Sequence, residues 1–379
     1  MKLVHVIIGL HVGGAEMMLL KLLQGMDRTR FEPAVVALMD GGEVSEKIRA
    51  LDIPVHHLGL KSLLDGPRVL GQLNGLATEL DPDVVQGWMY HGNLAATRLA
   101  KRAPRQPALY WNIRHTMTEH AREKFLTRAL IRLGGRWSGQ ARKVVHNAQA
   151  SVAQHEAKGY SRHNALVIPN GFDLEKFKPD TQAGTALRAE LGLGPETVLV
   201  GTLGRHHPIK GQDDFLAALA QLRTLGTADG AVHFLCAGRG MAPQNGALMA
   251  LVEKTGCAER IHLLDERHDT PHFLAGLDVF CLPSRGEGFP NALGEAMACG
   301  VPCVATDVGE ATIMLEDLGP TVPPKSPPAL AGALREMLAL TAADRRALGE
   351  KCRQRIADRY LLASITERYQ DMYDTTVDA

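Results

Sequence analysis

Short apolar runs alternate with stretches of helical period along most of the chain. In the first half the runs predict strands near 2–8, 33–38, 54–58, 83–88, 107–112, 143–146 and 165–168. Helices are expected near 14–25, 43–51, 67–80, 92–102, 119–137 and 148–158. This alternation is the signature of a parallel sheet with helices on both faces. It breaks at Ile168-Pro169-Asn170-Gly171, and the polar stretch that follows to Gly194-Pro195 holds no continuous buried strand. The pattern restarts at Thr197, with further strands near 231–237, 260–263, 277–281, 301–304 and 320–322, and the final forty residues are helical and charged. The expected fold class is therefore α/β, with two doubly wound Rossmann-like domains facing across a cleft. The domains span 1–170 and 196–355, joined by a linker over 171–195, with a C-terminal helix over 356–379 packing back on the first domain. Ligands of such sheets bind beyond the carboxyl ends of the strands, so the cleft is the expected active site. The opening Met1–Gly9 reads as a buried strand rather than a signal segment, and no run approaches the ~18 apolar residues of a membrane span.

Composition narrows the function classes. A length of 379 residues suits two domains, and 45% apolar with 22% charged residues excludes wholesale disorder and fibrous repeats. Aromatics at 5% argue against a surface that stacks nucleobases. The six cysteines all lie in the second half without a CxxC pair, so they read as small core residues of a cytoplasmic protein rather than zinc ligands. The net charge of zero conceals an asymmetry. Residues 1–170 carry 22 basic and 14 acidic side chains, and residues 171–379 carry 20 and 28. Twelve of the basic residues fall between Arg98 and Lys143, opposed only by Glu119 and Glu123. Lys124, Arg128, Arg132 and Arg136 repeat every four residues as one helical stripe, with Phe125, Leu126, Leu130, Leu133 and Trp137 beside it. Such a helix suits an anionic membrane surface. The plainer alternative puts its apolar side in the core and its arginines in water. No nucleic-acid recognition motif accompanies the patch, so nucleic acid is not an expected partner.

Three segments carry candidate chemistry. The first strand empties into Gly9-Leu10-His11-Val12-Gly13-Gly14, where glycines let backbone amides approach a ligand oxygen ahead of a helix. The second half opens likewise on Gly204-Arg205-His206-His207-Pro208-Ile209-Lys210-Gly211, which places Arg205 and Lys210 in a loop before a helix and suits a diphosphate. The most informative segment runs from Leu282 to Gly300. Glu287 lies in a glycine-bracketed loop, Glu295 lies inside the following helix, and the backbone of Gly288, Phe289, Pro290, Asn291 and Ala292 lies between them. Carboxylates eight apart do not share a helical face as a metal pair; they suit different parts of an extended ligand. No metal site is expected. Asp81-Pro82-Asp83 has the look of a metal-binding DxD, but it precedes an apolar strand and reads as a turn.

These segments resemble the retaining, nucleotide-sugar-dependent glycosyltransferases of the two-Rossmann-domain GT-B fold known as family 4. The matching residues are Gly13-Gly14, Ile168-Pro169-Asn170-Gly171-Phe172-Asp173, Gly204-Arg205 with Lys210-Gly211, and the Glu-x7-Glu block Glu287 to Glu295 with Gly300 to Asp307. The resemblance implies transfer from a UDP-sugar or GDP-sugar, with retention and without metal or other cofactor, to a glycan or lipid-linked acceptor in bacterial surface polysaccharide or glycolipid synthesis. It implies that Arg205 and Lys210 hold the diphosphate, that Glu295 binds the ribose, that Glu287 faces the donor sugar, and that amides over 288–292 assist at the β-phosphate. The base would lie near Ala237–Gly240, where Arg239 replaces the acidic residue common in relatives. On the first domain His115, His91 and Asn93 are the candidates for touching the donor sugar or acceptor, with His115 preferred. The location implied is the cytoplasm, peripheral on the inner membrane face. Two other readings are a GT-B scaffold that binds a partner without catalysis, and a sugar-nucleotide epimerase, which would lack the Glu-x7-Glu block.

Overall fold

The computed structural model describes residues 1–117, 125–224 and 232–375. The chain forms two compact units, one from Met1–Gly171 with Leu362–Ala379 and the other from Phe172–Leu361.

Among the described residues the first unit holds seven strands: β1 (Lys2–Ile7), β2 (Glu32–Ala37), β3 (Val55–His57), β4 (Val84–Trp88), β5 (Ala108–Ile113), β6 (Lys143–His146) and β7 (Ala165–Val167). They form one parallel sheet in the order β3-β2-β1-β4-β5-β6-β7. Both faces are apolar, as parallel sheets require. Leu3, Ile7, Trp88 and Tyr110 pack on one side with Leu19, Leu22, Tyr369 and Tyr373. Val4, Val6, Val85 and Trp111 pack on the other with Leu73, Leu99 and Ile131. The period-two alternation along β1 sends His5 to the first of these faces, where it is wholly buried.

The second unit holds β8 (Val198–Leu203), β9 (Val232–Ala237), β10 (Ile261–Leu263), β11 (Val279–Leu282), β12 (Cys303–Thr306) and β13 (Thr321–Val322), again all parallel, ordered β10-β9-β8-β11-β12-β13. The six cysteines are free thiols buried in this unit.

Two sequence-based boundaries are corrected. Residues 171–195 are not a linker: Phe172, Phe177 and Leu187 are buried in the second core, and a helix spans Ala183–Glu190. The Phe172 ring fills the space above Gly294 of the helix Asn291–Ala298, where a Cβ would stand 2.0 Å from the ring. Anchors spaced this widely leave no apolar period to read. At the C-terminal end, the helix Ala342–Tyr360 belongs to the second core through Cys352, Ile356 and Tyr360. Only the helix Leu362–Asp374 joins the first unit, so the crossover lies at 361/362 rather than 356.

Candidate functional site

In each sheet the order reverses beside one strand, β1 in the first unit and β8 in the second, and there the loops at the carboxyl ends diverge and leave a crevice. The expected site residues lie on these loops.

In the second unit the loop after β8 carries Arg205, which is exposed, and then a 3₁₀ turn over Pro208–Lys210. Gly211 follows with φ of 64°, and a Cβ there would meet the Pro283 carbonyl at 2.0 Å. Only glycine permits that approach. It seats the turn against the loop after β11, where the Arg285 amide donates to the Ile209 carbonyl at 2.7 Å. The result is a close cation–carboxylate pair: Lys210 Nζ lies 2.7 Å from Glu287 Oε1, which also accepts the Ser284 hydroxyl at 2.6 Å. The neighbouring Arg285 is committed elsewhere, held by Asp213 and Asp214 at the start of the helix Gln212–Thr224.

The segment between the two glutamates is more restricted than its sequence suggests. The Phe289 ring is buried and stacks on Phe172 at 6.1 Å, so Phe289 offers a ligand only its backbone. Pro290, which caps the helix Asn291–Ala298, has no amide hydrogen, and the Asn291 amide donates to the Phe289 carbonyl at 2.9 Å. That narrows the amide donors to Gly288, Phe289 and Ala292. Glu295 is half-buried on the helix, and its charge adds to burial in raising the Cys299 thiol to about 12. The loops after β8, β9 and β10 are tied together beside these groups. Gly204 donates to the Ala237 carbonyl, His206 to that of Arg239, and Gly238 to that of Asp265.

In the first unit a pocket of about 400 Å³ opens at the carboxyl ends of β1, β4 and β5. Gly13 caps the helix Gly14–Gly25, and Gly14, Glu16, His91, Arg114 and His115 all line the pocket. Burial raises the Glu16 carboxyl above its ordinary range, against the opposing pull of its own amide and of His11. Burial lowers His91. The helix here begins at Met89, not near 92, and Met89 takes the left-handed φ of 63° at the strand–helix junction. His91 is therefore in the first helical turn rather than a loop. Asn93 departs from expectation: it is buried, and its amide group binds the backbone of Asn112 through both Oδ1 and Nδ2. It holds β5 against the helix and does not face a ligand. Arg114 is fixed by Asn112, Tyr369 and Asn170, which ties the Pro169-Asn170-Gly171 turn to the pocket.

Sequence reasoning passed over Ser284, Glu16, Tyr90 and Arg114. Ser284, three residues before Glu287, had a local signal; Tyr90 is explained by partners distant in sequence, and Arg114 by Tyr369 and Asn170 besides the nearby Asn112. The Asp81-Pro82-Asp83 carboxylates both bind Arg105, at 2.8 and 3.2 Å, and serve the turn. Among the described residues no cluster of three or more histidine, cysteine, aspartate or glutamate side chains is arranged to hold a metal ion.

Arg128, Arg132 and Arg136 lie on the helix Phe125–Trp137, and Lys124 lies outside the described residues. Ile131, Gly134 and Gly135 face inward, while Phe125 is 78% exposed and Leu126 and Leu133 are exposed with Arg132 and Arg136. Among the described residues no helix is long and apolar enough to cross a membrane.

Comparison with known proteins follows the same division. A family model described as Glycosyltransferase Family 4 matches residues 12–176, and one described as Glycosyl transferases group 1 matches residues 195–339. The chain belongs to the GT-B glycosyltransferases of family 4. This family 4 chain is 33% identical over 193 residues to a D-inositol 3-phosphate glycosyltransferase of Segniliparus rotundus, covering 48% of the chain and 41% of that protein. It is 32% identical over 225 residues to the lipopolysaccharide core biosynthesis mannosyltransferase LpsB of Rhizobium meliloti, covering 56% of the chain and 62% of that protein. The chain thus spans between about two fifths and three fifths of these curated relatives. Its fold matches HepE of Anabaena, solved in complex with UDP, with a TM-score of 0.84 and 22% identity over 99% of this chain and all of that one.

Proposed function

We propose that this family 4 chain transfers a sugar from a nucleoside diphosphate donor to a hydroxyl acceptor with retention of configuration. The observation that carries the reading is the Lys210–Glu287–Ser284 constellation at the crevice of the second sheet, beside Arg205 and the mouth of the helix Asn291–Ala298. Breaking the anomeric C–O bond leaves the electron pair on a β-phosphate oxygen, and fixed positive charge and amide donors are worth most where that charge develops. Lys210 and Arg205, with the amides of Gly288, Phe289 and Ala292, supply them. Glu287, braced by a lysine and a serine hydroxyl, is preorganised to orient donor-sugar hydroxyls, and Glu295 takes the ribose. The acceptor oxygen attacks from the leaving-group side, and its proton passes to the departing phosphate oxygen. His115 and His91, at the pocket of the first sheet, are assigned to sugar hydroxyls. Because lysine and arginine provide the charge, transfer proceeds without a metal.

UDP- or GDP-linked sugars are the donors that the neighbours' names support, since HepE was solved with UDP-glucose and LpsB is a mannosyltransferase. A thermal-shift screen of both series is expected to give protection by one nucleotide and slow donor hydrolysis that survives EDTA. No protection and no hydrolysis would leave the inert scaffold as the better reading, and a product epimerised at the sugar would favour the epimerase.

The acceptor is assigned to a lipid-linked or surface glycan, made by a protein docked on the inner membrane face. Support comes from the helix Phe125–Trp137, which exposes Phe125, Leu126 and Leu133 beside its arginines while Thr127 lines the pocket. Docked by that face, the helix brings a lipid-borne hydroxyl to His115. Sedimentation with vesicles is expected to require anionic lipid and to weaken as salt rises. Equal binding to neutral vesicles sinks the docking assignment.

A further inference from the structure

The loop after β8 is held on both sides of the reversal in the second sheet. Toward β11, its Lys210 meets Glu287. Toward β9, its His206 amide donates to the Arg239 carbonyl at 2.9 Å. The turn met there is itself fastened, since Asp265 Oδ1 accepts the Gly240 amide at 3.0 Å. Gly240 has φ of 82°, and a Cβ on it would stand 3.3 Å from the His206 Cβ, so glycine makes room for the histidine.

The proton position on His206 follows from Asn245, which caps the helix Gly246–Lys254. The Leu248 amide can only donate, and it donates to Asn245 Oδ1 at 3.3 Å. The Gly240 carbonyl can only accept, and it stands 3.1 Å from Asn245 Nδ2. Two backbone groups therefore fix which way the side-chain amide points. Of the two hydrogens on Nδ2, one goes to Gly240 and the other to His206 Nδ1, at 3.1 Å. Because Nδ1 faces a donor, it carries no proton. An imidazole without a proton on Nδ1 is neutral and carries its proton on Nε2. Nε2 lies across the ring from Asn245, and His206 is exposed. The loop that carries Arg205 and Lys210 thus also presents one uncharged N–H donor of fixed orientation.

We propose that Asn245 is a positioning residue that holds His206 as the neutral Nε2–H tautomer, and that His206 donates from Nε2 to an oxygen of the nucleotide, in its diphosphate or its nucleoside. An Nδ1–H ring would instead turn a lone pair toward those oxygens and repel them. That the ligand is a nucleotide rests on the glycosyltransferase reading; the tautomer does not.

The test uses the full chain. With ¹⁵N-labelled histidine, long-range ¹H–¹⁵N correlation spectra read the tautomer, His206 being assigned by its loss in His206→Phe. The wild-type ring is expected to be protonated at Nε2 alone. Asn245→Asp keeps an oxygen for the Leu248 amide and turns the donor facing Nδ1 into an acceptor, so it is expected to place a proton on Nδ1. A wild-type ring protonated at Nδ1, or an unaltered ring in Asn245→Asp, overturns the positioning role. Calorimetry then reads the binding of UDP, GDP and inorganic pyrophosphate. The nucleotide that binds the wild type is expected to bind His206→Phe about tenfold more weakly, the scale of one hydrogen bond. Pyrophosphate weakened to the same degree supports a diphosphate oxygen, and pyrophosphate unaffected supports an oxygen of the nucleoside. Unchanged nucleotide affinity in His206→Phe overturns the contact. Asn245→Ser retains a capping hydroxyl and removes the donor; it is expected to weaken binding alone but to add nothing to His206→Phe. Additive losses would mean that Asn245 does not act through His206, which overturns its role. Wild-type protein that shows the Nε2–H pattern yet binds neither UDP nor GDP counts against the glycosyltransferase reading, and removes the nucleotide half of the proposal with it.

Discussion

Lys210→Ala lowers transfer by about 10²- to 10³-fold, the range seen when one preorganised stabiliser of a developing oxyanion is removed. The alanine variant loses the cation at the leaving group, and it also releases Glu287, whose side chain is only 10% exposed and is held by Lys210 at 2.7 Å. Glu287→Gln reaches the same constellation from the other side, keeping shape and the Ser284 contact while discharging the lysine's partner. Residues that act as a unit lose activity non-additively. The double variant is therefore expected to be no slower than the worse single. The pair contributes far less to stability, because Lys210 is 28% exposed and partly solvated ion pairs are worth about 1 kcal/mol or less. Steady-state kinetics beside urea denaturation separate the two effects. A collapse in stability with kcat retained would mean that the pair is a brace for the loop and not part of the donor site.

Acid is expected to unfold the first unit well before its carboxylates are all protonated. His5 and His146 are both held near 3 by burial, with the nearby His155 adding to the effect on His146. In the unfolded chain both take up a proton around 6.5. Below that pH the unfolded state binds more protons, so the unfolding free energy falls as pH falls, by about 1.4 kcal/mol per pH unit for each histidine. By pH 4.5 the two together remove about 5 kcal/mol, comparable to the whole stability of a typical domain. All three tryptophans, Trp88, Trp111 and Trp137, belong to the first unit, so indole fluorescence reports its unfolding alone. His5 accepts the Trp88 indole N–H at 3.1 Å, and its Nε2 has no partner among the described residues. His5→Phe orphans that indole N–H, which costs about 1–3 kcal/mol at neutral pH, and it halves the acid slope. The two stability curves should cross on acidification. Parallel curves would show that His5 is not among the groups responsible.

The alternation of apolar runs and helical periods made the two sheets legible, and with them both crevices. Strand ends next to glycine and charge, at Leu203 and Cys281, marked the loops that carry Lys210 and Glu287, whereas the pairing of the two appears only in the fold. What escaped the sequence was held by contacts without a period. Phe172, Phe177 and Leu187 enter the second core at wide and uneven spacing, so a polar-looking stretch passed for a linker. Asn93 follows a strand's carboxyl end in the sequence, where position suggested a ligand contact, but it lies inside the helix Met89–Ala100 and its partner is the backbone of Asn112, nineteen residues on. Tyr90 gave no signal in the sequence because its partner His155 lies sixty-five residues away. Local chemistry can be read along a chain, whereas a hydrogen-bond relay exists only after folding has assembled it.

The division of the first unit between residues 1–171 and 362–374 sets an order of assembly. A nascent chain that has emerged as far as residue 361 already contains every strand of the second sheet and the helices that cover it. The first sheet, although synthesised earlier, still lacks Tyr369, which binds Asn112, and Tyr373, which binds Gln86. Both are wholly buried residues, so until they arrive part of one face of that sheet stays open to water. The half made first is the half completed last, and it is the one that leaves apolar surface uncovered during the interval.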